Sequence, residues 1–416
     1  MRACWLALVV TAVGLVVAGG ASAQIQEYVV GHAPREIESA ARSGNFFAFS
    51  LERRLAQEPG NMVFAPAGVD AVLSLLYSGA AGETAKQMNK LLHFTLKGDT
   101  LHAAVGELLN RLGTAPEIPH RKAPAYELVT TTALWRQDEL PLTDAFFLRA
   151  RDEYGCVDRE VNFFQPEQAR KSIDSWCKKA THGRIPEIVP AGGVDADTRV
   201  LLTHAIYFKG DWAHPFKKDA TRSEPFHLTA TDAADAPMMH QQGTFNYLDE
   251  DSLQAVELPY VGETLSMIIL LPKQVDGLAR LQASLAPDTL QSFLDGRKPA
   301  QVDVSLPHFQ ITRATSLVPA LRDLGMADPF DGNADFSGMS PAKGLFVSAL
   351  FHDVAITVDE SGTEAAAGTA AQVKVESQTS AGRPKVFRAD HPFLFLIRHN
   401  PTGSIVFFGR VSNPNG

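Results

Sequence analysis

Thirteen histidines and three cysteines are the side chains of this 416-residue chain best suited to nucleophilic, acid–base or metal chemistry, and their spacing offers little of it. There is no G-x-S-x-G elbow, no H-E-x-x-H, no Walker A and no G-x-G-x-x-G after a strand. "SGAAGET" (78–84) places glycines before a threonine but lacks the phosphate-binding lysine, and reads as a helix-to-helix corner. His204 lies in an apolar run, where a satisfied core histidine is the simpler reading than a catalytic base. "DEDS" (249–252) lacks the EF-hand spacing and reads as a solvated turn. Cys4 sits in an N-terminal apolar run. Cys156 and Cys177 are too few for a disulfide scaffold and wrongly spaced for a CxxC site; they could pair in an oxidising compartment or stand as two separate buried thiols. The residues specify no catalytic constellation, no cofactor and no metal site.

Another kind of chemistry is suggested by "DESGTEAAAGTAAQVKVESQT" (359–379), built mostly of Ala, Gly, Thr and Ser. Every second residue from Thr363 gives Thr363, Ala365, Ala367, Thr369, Ala371 and Val373. The other set is Glu364, Ala366, Gly368, Ala370, Gln372 and Lys374. All the charged and long polar side chains fall in the second set, as in a strand with one buried and one exposed face. A helix explains less, because Thr and Gly lower its propensity. A linker explains the composition but not the alternation. Small residues on the buried face suit a strand that must slide between existing strands, with Gly362 giving backbone freedom at the pivot. The segment could thus exist in two states, exposed as a loop or inserted in a sheet.

The surrounding elements must hold such a segment. "NFFAFSLERRLAQ" puts Phe47, Leu51 and Leu55 on one helical stripe, with Asn45 expected as its cap. "PAGVDAVLSLLYSGA" repeats the pattern, with Pro66 in the first turn, and "SGAAGETAKQMNKLL" continues it. Strand character then takes over in "LVTTTALWRQ", "RVLLTHAIYFKGDW", "LSMIILLP" and "QVDVSLPHFQIT". "HPFLFLIRHNPTGSIVFFGRV" reads as two strands joined at Asn-Pro-Thr-Gly. "QARKSIDSWCKKATHGR" and "SLVPALRDLG" are helical interruptions. Helices first and strands later, without strict alternation, predict an α+β fold with large sheets.

"MRACWLALVVTAVGLVVAGGASAQ" has one Arg, an apolar run and "ASA" before Gln24, which predicts a signal peptide (1–23) cut after Ala23 and a secreted, extracellular or periplasmic mature chain. The run is short for a membrane span and ends in small residues. Residues 24–416 show no linker and no internal repeat, so one domain is expected. Hydrophobic residues make up 45% of the chain, enough for a large core, and the net charge of −9 argues against nucleic acid as a main partner. No N-x-[ST] acceptor without an intervening Pro is present.

"HAIYFKGDWAHPF" (204–216) resembles the most characteristic block of the serpins. "FAFSLERRLA", "ALWRQDELPLTDAFF", "APMMHQQGTFNY", "VSLPHFQIT", "ADFSGM", "DESGTEAAAGTA" and "HPFLFLIRHNPTGSIVFFGRVSNP" follow in that family's order and spacing. The resemblance covers essentially all of the expected mature chain. It implies three β-sheets and about nine helices in one domain, with an exposed reactive-centre loop over roughly residues 360–386. It also implies a protease inhibitor rather than an enzyme. The target peptidase attacks the loop, forms an acyl-enzyme, and is trapped when the cleaved loop inserts as a new central strand. The alternative within the family is a non-inhibitory carrier, storage or chaperone-like protein.

Glu360, Gly362, Thr363, Glu364, Ala365, Ala366, Ala367, Gly368 and Thr369 match the inhibitory hinge pattern, whereas non-inhibitory members tend to carry bulky, charged or proline residues there. Counting the family's usual spacing of about seventeen residues from Glu360 places the reactive bond at Glu376–Ser377. Lys374 would suit trypsin-like and Val375 elastase-like enzymes, and the exact bond stays open. The sheet-opening region is expected at His204, Trp212, His308 and His352. The family usually has Ser at positions 65 and 68 and Asn at 204; here these are Ala65, Gly68 and His204. A hydrogen-bonded His204–His352 pair with at most one proton is expected to make sheet opening pH-sensitive between about pH 5 and 7. Glu360 is expected opposite His308, which stands where many members have Lys. Lys97, Arg111, Arg121 and Lys122 are too dispersed for a heparin-type site. The partner is then the target peptidase, with no nucleic acid and no membrane, and the protein is expected to be a monomer.

Overall fold

Apolar side chains at helical spacing build the first part of the chain. In the computed structural model, which describes residues 34–363 and 383–416, α1 spans Arg35–Leu55. Phe47, Leu51 and Leu55 lie on its buried face. The helix begins well before Asn45, so that residue is no cap. Its amide instead donates to Gly403 O (2.9 Å) and accepts from Ile405 N (3.0 Å), tying the helix to a distant turn. After β1 (Met62–Phe64), α2 (Pro66–Gly79) carries Pro66 at its start, where a missing N–H costs nothing. The glycine corner leads into α3 (Gly82–Leu92), with Gly82 at φ +55°, and α4 (Gly98–Gly113) follows.

The middle of the chain alternates. β2 (Tyr126–Gln137) leads to α5 (Asp144–Asp152), capped by Thr143, and then to β3 (Val157–Val161) and α6 (Pro166–Ala180). β4 (Val200–Asp211) is buried almost throughout. β5 (Arg222–His227), β6 (Ala233–Asp249), β7 (Leu253–Pro259) and β8 (Leu265–Pro272) come next. α7 (Leu278–Ser284) and α8 (Pro287–Gly296) precede β9 (Lys298–Pro307) and β10 (Phe309–Ser316). α9 (Val318–Asp323) leads to β11 (Ala349–Val358) and the two-residue β12 (Gly362–Thr363). β13 (Lys385–Arg388), β14 (Phe393–His399) and β15 (Ile405–Val411) complete the chain.

Among the described residues one sheet has six strands in the order β10-β11-β12-β4-β2-β3. The other ladder runs β1-β15-β14-β8-β7-β6-β9-β13, with β5 on β6. The long β6 serves two strand sets: Asn246–Asp249 pairs with β7 and Ala233–Met238 with β5. Counted as those two sets, this ladder and the six-stranded sheet are the three sheets of an α+β fold. Alternation along β4 splits its contacts. Val200, Leu202, Ile206 and Phe208 join the main core, whereas Leu201 and Ala205 face a smaller cluster that includes Ile173 and Cys177 of α6.

Candidate functional site at the strand seam

β4 and β11 are parallel neighbours over seven residue pairs, from Ala349–Leu201 to Ala355–Tyr207. Above that seam β12 lies between them, antiparallel to both: Thr363 pairs with Val358 of β11 and Gly210 of β4, and Gly362 with Asp211. The six-stranded sheet is thus closed below and wedged apart at one end by Gly362 and Thr363 of the hinge.

A tight turn returns the chain into that wedge. Asp359 Oδ1 accepts from Ser361 N (2.8 Å) and Gly362 N (3.1 Å), and Asp359 N donates to Gly362 O (2.8 Å). The neighbouring segment holds the turn from outside. Trp212 N donates to Ser361 O (2.9 Å), Phe216 N to Glu360 O (2.8 Å), and Trp212 Nε1 to Asp359 O (3.0 Å). A Cβ on Gly362 would lie 2.0 Å from Gly210 O, so the strand spacing here admits only glycine. Thr363 is fully enclosed, as its place in the uncharged alternating set predicts, and its hydroxyl meets Tyr260 of the main core.

His204 and His352 are direct neighbours across the seam, with Nδ1 atoms 2.9 Å apart and rings stacked at 5.0 Å. The backbone N–H of Ala65 can only donate, so the His352 Nε2 it reaches at 2.9 Å carries no proton. The His352 proton is therefore on Nδ1 and points at a bare His204 Nδ1. His204 then donates from Nε2 to Thr130 Oγ1 at 3.0 Å. Both rings are neutral. Burial lowers His204 to about 4, and burial together with the adjacent His204 lowers His352 well below the usual range. In the closed seam neither ring titrates between pH 5 and 7. A Cβ on Gly68 would lie 2.1 Å from His204 Cε1, so glycine at 68 is what gives the imidazole its space.

Glu360 and His308 are not direct partners. The Glu360 carboxylate accepts from Thr221 Oγ1 at 2.6 Å. Burial opposes its charge, but that hydrogen bond and the nearby His308 and Lys218 outweigh burial and hold its pKa below the usual value. Asp353, beside His352 on β11, points to the other face. It is buried, its Oδ1 has no hydrogen-bond partner among the described residues, and burial pushes it up to about 7. Cys156 and Cys177 are both free and buried in different clusters, so they form no disulfide. Of the dispersed basic residues, Arg111 is paired with Glu107 and Arg121 with Asp211. Residues 364–369 of the hinge, the candidate bonds at Lys374, Val375, Glu376 and Ser377, and the N-terminal segment 1–23 lie outside the described residues. No helix among the described residues is long and apolar enough to cross a membrane.

Sequence reasoning missed Tyr260, whose hydroxyl meets Thr363 Oγ1 at 2.7 Å, along with Asp359, Thr221 and Asp353. Nothing local marks Tyr260 in "ELPYVGET"; only the fold brings it to the hinge. For Gly68 there was a signal, the simultaneous departure from the family pattern at 68 and 204.

The family-wide sequence model described as "Serpin (serine protease inhibitor)" matches residues 42–414. The chain is 36% identical over 388 residues to the leukocyte elastase inhibitor of Xenopus tropicalis, covering 91% of this chain and 100% of that protein. Among solved structures it is similar to Serpin48 of the insect Tenebrio molitor, described as highly specific, at 30% identity and TM-score 0.80. That match covers 92% of this chain and 100% of the other. A crystal structure of maspin matches at 28% identity and TM-score 0.82, with the same coverage.

Proposed function

The chain belongs to the serpin family of serine protease inhibitors, and from that membership we propose that it traps a serine-type peptidase as a suicide substrate. The observation that carries the reading is the wedge: Gly362 and Thr363 already occupy the insertion slot while the seven pairs below remain closed. Continuing the same antiparallel register would bring Ala365 between Phe208 and Ile356, Ala367 between Ile206 and Val354, and Thr369 between His204 and His352. Small residues would enter the apolar rungs, and a hydroxyl would arrive where the histidine pair is split.

The free energy suffices. Insertion replaces one strand interface by two, a net gain of roughly seven ladder hydrogen bonds at about 1 kcal/mol each, before burial is added. Slowing deacylation by about 10⁴-fold needs about 5–6 kcal/mol. The protein is consumed in the reaction and acts as a monomer. Removal of residues 1–23 and export to an extracellular or periplasmic space complete the proposal, supported by the apolar run and "ASA" at its end.

The reactive bond proposed is Glu376–Ser377. Relatives named leukocyte elastase inhibitors make elastase-type enzymes the first to test, with cleavage after Val375 as the elastase-compatible alternative. Incubation with elastase-type, trypsin-like and glutamate-preferring peptidases should give an SDS-stable complex with at least one. The mass of the released C-terminal fragment then reads the bond, since it starts at Ser377, Glu376 or Val375 in the three cases. Cleavage without any complex across the panel overturns the inhibitory reading in favour of a carrier or storage role.

A further inference from the structure

We infer that the Tyr260 hydroxyl is a positioning group for loop insertion, latching Thr363 into the first rung of the sheet so that pairing extends from an engaged strand. The inference rests on the inhibitory reading above.

Tyr260 and Thr363 are both fully enclosed, and each hydroxyl has the other as its partner at 2.7 Å. The phenol cannot turn away. Trp212 stacks on its ring (4.5 Å between centroids, 15° between planes), and Phe208 meets it edge-on at 5.0 Å. Trp212 is fixed in turn by its donations to Asp359 O and Ser361 O. The backbone of 359–362 therefore turns the chain towards the slot, but it does not hold the side chain of Thr363 inside. An enclosed hydroxyl without a partner carries a desolvation cost, and Tyr260 removes it. Without the phenol oxygen, the simplest relief is for Thr363 to withdraw into solvent, which unmakes the rung.

Unmaking the rung has a kinetic consequence. After cleavage, insertion races hydrolysis of the acyl-enzyme. A hinge lying outside the sheet must first close the loop onto the slot, an entropic step that precedes any reward from pairing. A seated Thr363 has already taken it. Tyr260 thereby biases the partition between trapped complex and hydrolysed substrate without touching the reacting atoms.

The test uses Tyr260→Phe, Thr363→Val, Thr363→Ser and the double variant Tyr260→Phe/Thr363→Val. The first measurement is hydrogen exchange at residues 360–363 of the uncleaved protein, which needs no peptidase. The second is the stoichiometry of inhibition with an enzyme that forms SDS-stable complexes with the parent. Tyr260→Phe and Thr363→Val should each lose protection at the hinge and raise the stoichiometry several-fold. Thr363→Ser should retain both, and the double variant, with no hydroxyl left to strand, should recover most of the loss. Unchanged exchange and stoichiometry in Tyr260→Phe, or additive losses in the double variant, would overturn the latch. If the parent forms no complex with any peptidase, the inhibitory reading falls, while the exchange measurement still decides whether the latch exists.

Discussion

At the scale of single residues, Gly68 and His204 are one choice made at two positions. The imidazole occupies the space a side chain at 68 would fill, since a Cβ there lies 2.1 Å from His204 Cε1. Gly68→Ser should therefore cost about 1–3 kcal/mol by overpacking, read from denaturant unfolding. Adding His204→Asn should recover most of that loss, because contacting residues couple non-additively. Two independent losses that simply sum would contradict the pairing. Thr363 supplies a second residue-scale prediction. It is fully buried against the Tyr260 hydroxyl, so Thr363→Arg places a charge in an enclosed slot. That variant should be cleaved as a substrate and fail to trap its peptidase; persistence of SDS-stable complexes would show that the hinge need not enter the sheet.

At the scale of elements, the β4–β11 seam carries titratable groups of opposite character on its two faces. His204 and His352 are kept neutral by burial, with His204 lowered to about 4. When the seam parts and water reaches them, they regain a pKa near 6.5. The closed seam is therefore fully favoured above pH 6.5 and loses ground as pH falls towards 4, by up to about 1.4 kcal/mol per pH unit for each ring. Asp353 works the other way. Burial raises it from 3.8 to about 7, so its contribution to closure is complete below 3.8 and is lost as pH rises towards 7. Two histidines against one aspartate leave a net slope: opening should become easier from pH 6.5 down to 5. Uptake of a synthetic hinge peptide reads this without a peptidase. Asp353→Asn should steepen the acid dependence and His204→Asn should flatten it. A parent protein whose uptake rate is level from pH 6.5 to 5 would contradict the account.

At the scale of the whole molecule, the proposed mechanism requires that the uncleaved protein has not reached its most stable arrangement: β4 and β11 are held apart only where Gly362 and Thr363 lie between them, and the seven pairs below must part before the rest of the strand can enter. Nicking at the reactive bond should raise the unfolding midpoint. With a gain on the order of 10 kcal/mol and about 2 °C per kcal/mol for a domain of this size, the shift should be roughly 20 °C. An unchanged midpoint would mean that the cut loop stays outside. The same two-state logic explains how much was readable in advance. Periodicity placed α2, β4, β8 and the β14–β15 hairpin, because each buries a continuous apolar face whose spacing is a local property. It misjudged the start of α1, since Asn45, a good cap residue by type, spends its hydrogen bonds on Gly403 and Ile405 some 360 positions away.

By itself the sequence determined the family, the α+β class and the alternation of the hinge, because order, spacing and parity are written along the chain. Only the tertiary structure decided who meets whom. It put Tyr260 on Thr363 rather than leaving the hinge unpartnered, and Thr221 rather than His308 on Glu360. It kept Cys156 and Cys177 in separate clusters, and it set Asp353 behind the histidine seam. These are contacts between residues far apart in sequence, chosen by strand register and enclosure, and no local pattern encodes them.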